Sequence, residues 1–108
     1  MRRGELWTAA GGRHDAGKPR PVLIIQDDRF DATDSVTVCP LTTDPTEIPL
    51  LRIPLTGADT GLAQPGRIMV DKVTTMSRTR LGHYVGTVTD ADLLALGRAL
   101  VVFLGLAS

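Results

Sequence analysis

Hydrophobic positions along the chain fall into short runs separated by turn residues, followed by one long apolar stretch near the C-terminus. Glu5-Leu6-Trp7-Thr8-Ala9 alternates polar and apolar, the period-2 signature of a strand, and the Gly-rich, charged residues from Gly11 to Lys18 predict an exposed loop. PVLIIQ at 21–26 is continuously apolar and rich in branched residues, as in a strand central in a sheet or buried on both faces. The aspartates at 27–34 break it. SVTVCPL at 35–41 reads as a third strand, in which Pro40 predicts an edge or a bulge because proline cannot donate to a ladder. Residues 44–49 read as a loop, LLRIPL as a short strand and TGADTGLAQPG as a long turn-rich connection. RIMVDKVTTM is one bent strand or two, Arg78 to Leu81 a single helical turn, and HYVGTV at 83–88 a last strand.

The long apolar stretch predicts a helix. Thr89 opens T-D-A-D, an N-cap followed by carboxylates in the first turn, where the helix dipole favours negative charge. Leu93, Leu96, Leu100, Val101 and Leu104 share one broad face, and Leu94, Val102 and Phe103 extend the apolar surface around it. That is more than a surface helix needs, so partial burial combined with a homodimer contact is expected. The fold class is α+β, mainly β: a strongly twisted antiparallel sheet or small SH3-like barrel, with short helices and one C-terminal helix. With 108 residues, a single domain over 1–108 is expected.

Composition narrows the function classes. No run of apolar residues is long enough to span a bilayer, and MRRGELW lacks the apolar core of a secretory signal, so a cytoplasmic protein without membrane contact is expected. The one cysteine, Cys39, lies in an apolar run and reads as a small buried side chain. With neither a CxxC pair nor an HExxH motif, and with His14 and His83 far apart, no metal site is expected. The net charge is zero but unevenly spread. Arg2, Arg3, Arg13, Lys18 and Arg20 against Glu5 and Asp15 give residues 1–20 a net +3; Arg67, Lys72, Arg78 and Arg80 against Asp71 give 67–80 the same; the aspartates around Arg29 make a local −3. If the fold unites the basic segments they form a patch suited to phosphates, although ten Arg against two Lys also fits a general preference for arginine.

GELW, a loop ending in KPRPVLII, then VTVCPLTT, GRIMVDKVTTMSRTRL and a terminal helix ending in LGL resemble, in order and spacing, the MazF/PemK/Kid toxins of type II toxin–antitoxin systems. The resemblance implies a metal-independent endoribonuclease, needing no cofactor, that cuts single-stranded RNA at short sequences. Attack by the substrate's own 2′-hydroxyl leaves a 2′,3′-cyclic phosphate and a 5′-hydroxyl. It also implies a MazE-like antitoxin whose acidic tail occupies the RNA groove. Such a reaction requires a base near the 2′-oxygen, an acid near the 5′-oxygen, and donors facing the phosphorane.

Arg20 matches the family's arginine at the start of the second strand, where a planar, permanently charged guanidinium can hold two phosphate oxygens; its other reading is an ion pair with Asp27 or Asp28. Thr42 matches the threonine after the third strand, with Thr43 as a second donor; on the residues alone, TTDP reads first as a turn capped by its own side chains. His14 falls where the Kid branch has a loop histidine, Asp15 where MazF relatives have an acidic residue, and Asp71 matches an aspartate that is an acid or base in the Kid branch. An ion pair of Asp71 with Lys72 or Arg67 is the alternative. Arg13, Lys18 and Arg67 complete the expected RNA contacts. Two departures stand out: Met69 replaces an arginine of the Kid branch, leaving Arg67, Lys18 or no residue at all as the second cation, and GGRHDAGK replaces the usual loop core. Two other readings fit the same fold. A gyrase-binding toxin like CcdB would carry a C-terminal Trp-Gly-Ile, whereas this chain ends in Leu-Ala-Ser, and an inactive homologue would bind RNA or a partner without cutting.

Overall fold

A computed structural model describes residues 1–10 and 18–107. Strands β1 (Glu5–Ala9), β2 (Arg20–Ile24), β3 (Ser35–Thr42), β4 (Arg52–Pro54), β5 (Arg67–Met69), β6 (Thr74–Ser77) and β7 (Leu81–Thr87) precede helix α1 (Asp90–Phe103). Short 3-10 turns cover Asp28–Phe30, Val70–Lys72 and Arg78–Arg80. The sheet runs β4-β5-β3-β2-β1-β7, with β6 also beside β3, and each paired neighbour is antiparallel. As its continuous apolar run implies, β2 is central.

The RIMVDKVTTM segment is two strands. Val70–Lys72 turns between β5 and β6, and both pair with the same edge of β3: Ser35–Val38 face β6, while Leu41 and Thr42 face β5. This corrects the expected edge or bulge at Pro40. β3 is paired on both sides, and Pro40 falls in the gap where β6 has ended and β5 has not begun. A residue without an N–H fits there without orphaning a partner.

Alternation along the strands produces two cores. Ala9, Val22, Ile24, Val36, Val38, Met76 and Leu81 come from β1, β2, β3, β6 and β7 and form one buried cluster, so these five strands curl into a small barrel closed by the Arg78–Arg80 turn. The intervening residues Leu23, Cys39 and Leu41 face the other way, where Leu6, Ile68, Val70, Leu96 and Ala99 make the second cluster beneath α1. Each fully buried aliphatic side chain there, such as Leu23 or Leu96, contributes roughly 1.5–3 kcal/mol relative to exposure.

The Oγ1 of Thr89 caps the helix as predicted, accepting the Asp92 N–H at 3.0 Å. The buried Asp92 carboxylate accepts the N–H and hydroxyl of Thr56 at 2.8 and 2.9 Å, tying the helix start to the chain after β4. At the other end Gly105 takes a positive φ of 74°, and the Leu106 and Gly105 N–H groups return to the Val101 and Val102 carbonyls, a Schellman stop. Only one stripe of the helix is covered. Leu94, Val101, Val102, Phe103 and Leu104 are exposed. Trp7 is half-buried beside the barrel core, its ring edge-on to that of Tyr84 at 6.1 Å. Among the described residues no helix is long and apolar enough to cross a membrane.

Candidate active site

The site begins with register. The β2–β3 ladder ends with Val22 opposite Pro40, and Arg20 at the start of β2 and Thr42 at the end of β3 each lie two residues beyond that pair, on the same face as it. Thr42 in turn faces Arg67 on β5. Residues directly opposite one another share a face. Arg20, Thr42 and Arg67 therefore form one row on the barrel face, beyond Val22 and Pro40, where the apolar cluster gives way to polar side chains.

Beside this row a groove encloses about 530 Å³. Arg20, Thr42, Thr43 and Gln64 supply its polar groups, and Leu41, Leu62, Ala63 and Met69 its apolar walls. A smaller hollow of about 290 Å³ continues it, sharing Arg20, Leu41 and Met69 and adding Thr74 and Arg80. Arg80 is held in place there, its Nε and Nη2 donating to the Ala10 carbonyl at 3.2 and 2.6 Å. Arg20 of the first basic segment and Arg80 of the second thus line the same hollow. Met69 stands in the groove wall.

The turn reading of Thr42 is what the structure shows. Its Oγ1 accepts the Asp44 N–H at 3.1 Å, and Asp44 Oδ1 accepts the N–H and hydroxyl of Thr46 at 2.9 and 2.7 Å. The side chain caps the turn with a lone pair, which fixes its orientation and leaves its hydroxyl hydrogen to donate. Asp27 and Asp28, the acidic partners considered for Arg20, are paired with Arg29 and Arg2.

Asp71 is placed differently. It lies in the Val70–Lys72 turn and pairs with Arg52 of β4, rather than with Lys72 or Arg67. The Arg52 guanidinium also donates to the Leu51 carbonyl at 2.8 Å, and its hydrogen bond to Asp71 holds that carboxyl below the usual aspartate range. Asp71 lines neither hollow of the groove. Arg67 borders a separate hollow with Glu47, Ile48 and Arg52, while Lys18 is exposed and lines neither part of the groove. Arg13, His14 and Asp15 lie outside the described residues. Burial pushes the Cys39 thiol up to about 12, so at neutral pH it is protonated and unreactive.

Sequence reasoning missed Gln64 and Arg80. The first is hidden in a turn-rich connection that carries no motif. The second stood among four cations of one segment, and only the β1–β7 pairing, which brings Leu81 opposite Ala9, singles it out.

The fold is a small, mainly antiparallel β-structure with one terminal helix, and its candidate site is an arginine and threonines beside an apolar-walled groove. The chain matches the family of PemK-like, MazF-like toxins of type II toxin–antitoxin systems over residues 2–104, and it belongs to that family. It is 56% identical over 108 residues, 99% of each chain, to a probable endoribonuclease MazF of Mycolicibacterium smegmatis. It is also 30% identical over 116 residues, covering 98% of each chain, to endoribonuclease MazF9 of Mycobacterium tuberculosis. Among solved structures, a mycobacterial endoribonuclease in complex with its cognate antitoxin superposes with a TM-score of 0.84 at 28% identity, covering 100% of this chain and 98% of the other.

The Arg52–Asp71 pair has a pH signature. Because Asp71 titrates lower in the folded chain than in the unfolded one, the pair stabilises fully above the unfolded carboxylate range and loses its effect as pH falls through the depressed value. Asp71→Asn is expected to lower unfolding free energy at pH 7, with the gap from the parent closing well below pH of about 4. Urea denaturation at both pH values checks this, and a gap that does not change with pH contradicts it.

Proposed function

We propose that this toxin acts as a metal-independent endoribonuclease on single-stranded RNA, with the scissile phosphate seated between Arg20 and Thr42. The observation that carries the proposal is that both residues line one groove, each two residues beyond the paired Val22 and Pro40. The substrate's 2′-oxygen attacks phosphorus, the bond to the 5′-oxygen breaks, and the products are a 2′,3′-cyclic phosphate and a 5′-hydroxyl. Charge builds on the non-bridging oxygens during this step. Arg20 meets it with a permanent cation and a two-pronged donor, and the hydroxyls of Thr42 and Thr43 add neutral donors. Arg80, across the adjoining hollow, draws the flanking backbone.

Proton transfer needs groups of another kind. Arginine does not release its proton near neutral pH, and Asp71 is committed to Arg52 away from the groove. The work falls to the connection that leads into Arg20, where His14 and Asp15 stand six and five residues earlier in the sequence. Arg13, Lys18 and Arg67 act as outlying phosphate contacts. The groove's cations also suit the acidic, extended tail of a cognate antitoxin, which in binding there would exclude RNA. Nuclease chemistry is favoured over gyrase binding because the family match and the placement of Arg20 and Thr42 in one groove point the same way.

The exposed aliphatic side chains along α1 border a hollow of about 730 Å³ lined by Leu93, Leu94, Val101 and Val102 between Arg3 and Arg98. That lining suits packing more than chemistry, and a second copy covers it in the proposed homodimer.

Two measurements follow. The purified toxin is expected to cut a long RNA in the presence of EDTA, leaving cyclic-phosphate ends, and Arg20→Ala to slow cutting by on the order of 100-fold or more; an Arg20→Ala protein as fast as the parent contradicts the site. Light scattering is expected to give twice the chain mass for the parent and a shift toward the monomer for Val102→Asp; a monomer mass for the parent at every concentration contradicts the dimer.

A further inference from the structure

The connection between β4 and β5 is fixed to the rest of the fold along its length. At its start the Thr56 N–H and hydroxyl hold the buried Asp92 carboxylate. In the middle the Thr87 N–H donates to the Asp59 carbonyl at 2.9 Å, and the backbones touch so closely that a Cβ on Gly86 would strike the Thr60 carbonyl. Gly61, at φ +68°, likewise leaves no room for a Cβ against the Val85 carbonyl. Leu62 packs on the core beneath α1, and the Leu55 N–H closes the connection by donating to the Gly66 carbonyl at 3.1 Å.

This framework presents Gln64 at the groove. The residue lies between packed Leu62 and buried Gly66, and Pro65 after it restricts its backbone to extended conformations. Its side chain is exposed and makes no hydrogen bond to any described residue, yet it lines the same groove as Arg20, Thr42 and Thr43. The walls between are apolar: Leu41, Leu62, Ala63 and Met69. A phosphate at the Arg20–Thr42 end leaves this apolar part for the attached base, with an amide at its rim.

We propose that Gln64 is a specificity-determining residue that reads the Watson–Crick edge of the base next to the scissile phosphate. This rests on the nuclease reading above. A carboxamide offers one acceptor and an adjacent donor, which matches the paired donor and acceptor on a base edge. Unstacked bases of single-stranded RNA present that edge to a protein, and apolar walls on a fixed backbone hold the base in the plane the amide requires. Gln64 takes no part in the bond changes at phosphorus, so its removal alters which sequences are cut more than how fast the best is cut.

The test compares the parent, Gln64→Ala, Gln64→Glu and Arg20→Ala. Cuts made by the parent in a long RNA are mapped, and short RNAs carrying the mapped motif, each altered at one position, are then assayed for cleavage. Gln64→Ala is expected to lose about tenfold or more of the preference at one motif position while keeping the others. Gln64→Glu should shift that position toward guanine, whose N1–H and N2–H₂ both donate to a carboxylate. Arg20→Ala should slow every RNA alike. An unchanged motif in both Gln64 variants overturns the inference and leaves the nuclease reading standing; a parent that cuts no RNA overturns both.

Discussion

The antiparallel register between β2 and β3 is the constraint on which the site depends. Arg20 and Thr42 are remote in sequence and meet only because Val22 faces Pro40 and Ile24 faces Val38. A slip of one residue would turn Arg20 toward the helix side and bring a barrel-lining valine out with it. Burial on both faces forbids that slip: Val22 and Ile24 fill the barrel, while Leu23 packs beneath α1. A charged side chain at the end of such a strand takes its position from the aliphatic side chains packed along it.

The same division explains how β3 serves two partners. Its first half pairs with β6 and closes the barrel, its second half pairs with β5 and carries the groove, and Pro40 marks the change. Arg52 and Asp71 fasten β4 to the turn between β5 and β6, so that turn is held by an ion pair while the groove is left to Arg20, Thr42 and their neighbours. The helix completes the arrangement. Its cap, its buried Asp92 and its covered stripe hold the segment after β4 against β7, which is how an irregular connection becomes a fixed wall.

Much of this was legible in the residues. Period-2 alternation located β1, the branched run 21–26 located a central β2, and the T-D-A-D cap located α1. Arg20 and Thr42 were legible through their motifs, each standing at the end of a readable strand. What escaped depended on pairing between distant segments. Pro40 suggested an edge because sequence shows only the missing N–H, and not the two partners that exchange beside it. Asp71 suggested Lys72 or Arg67 because neighbours in sequence are visible and Arg52, across β4, is not. Which stripe of the helix is covered was not legible, because apolar residues occupy nearly every helical face and nothing local states which one the sheet covers. Gln64 gave no signal at all, since its position follows from glycine contacts between two remote backbones.

The central claim is that Arg20 and Thr42 act on one phosphate as a unit. A double-mutant cycle tests it most directly, because groups that serve the same transition state are not additive while independent groups are. Single-turnover cleavage of one RNA would be measured for the parent, Arg20→Ala, Thr42→Val and the double variant. The account predicts that the double variant is little slower than Arg20→Ala alone. Losses that multiply, leaving Thr42→Val with its full effect when Arg20 is absent, would contradict it.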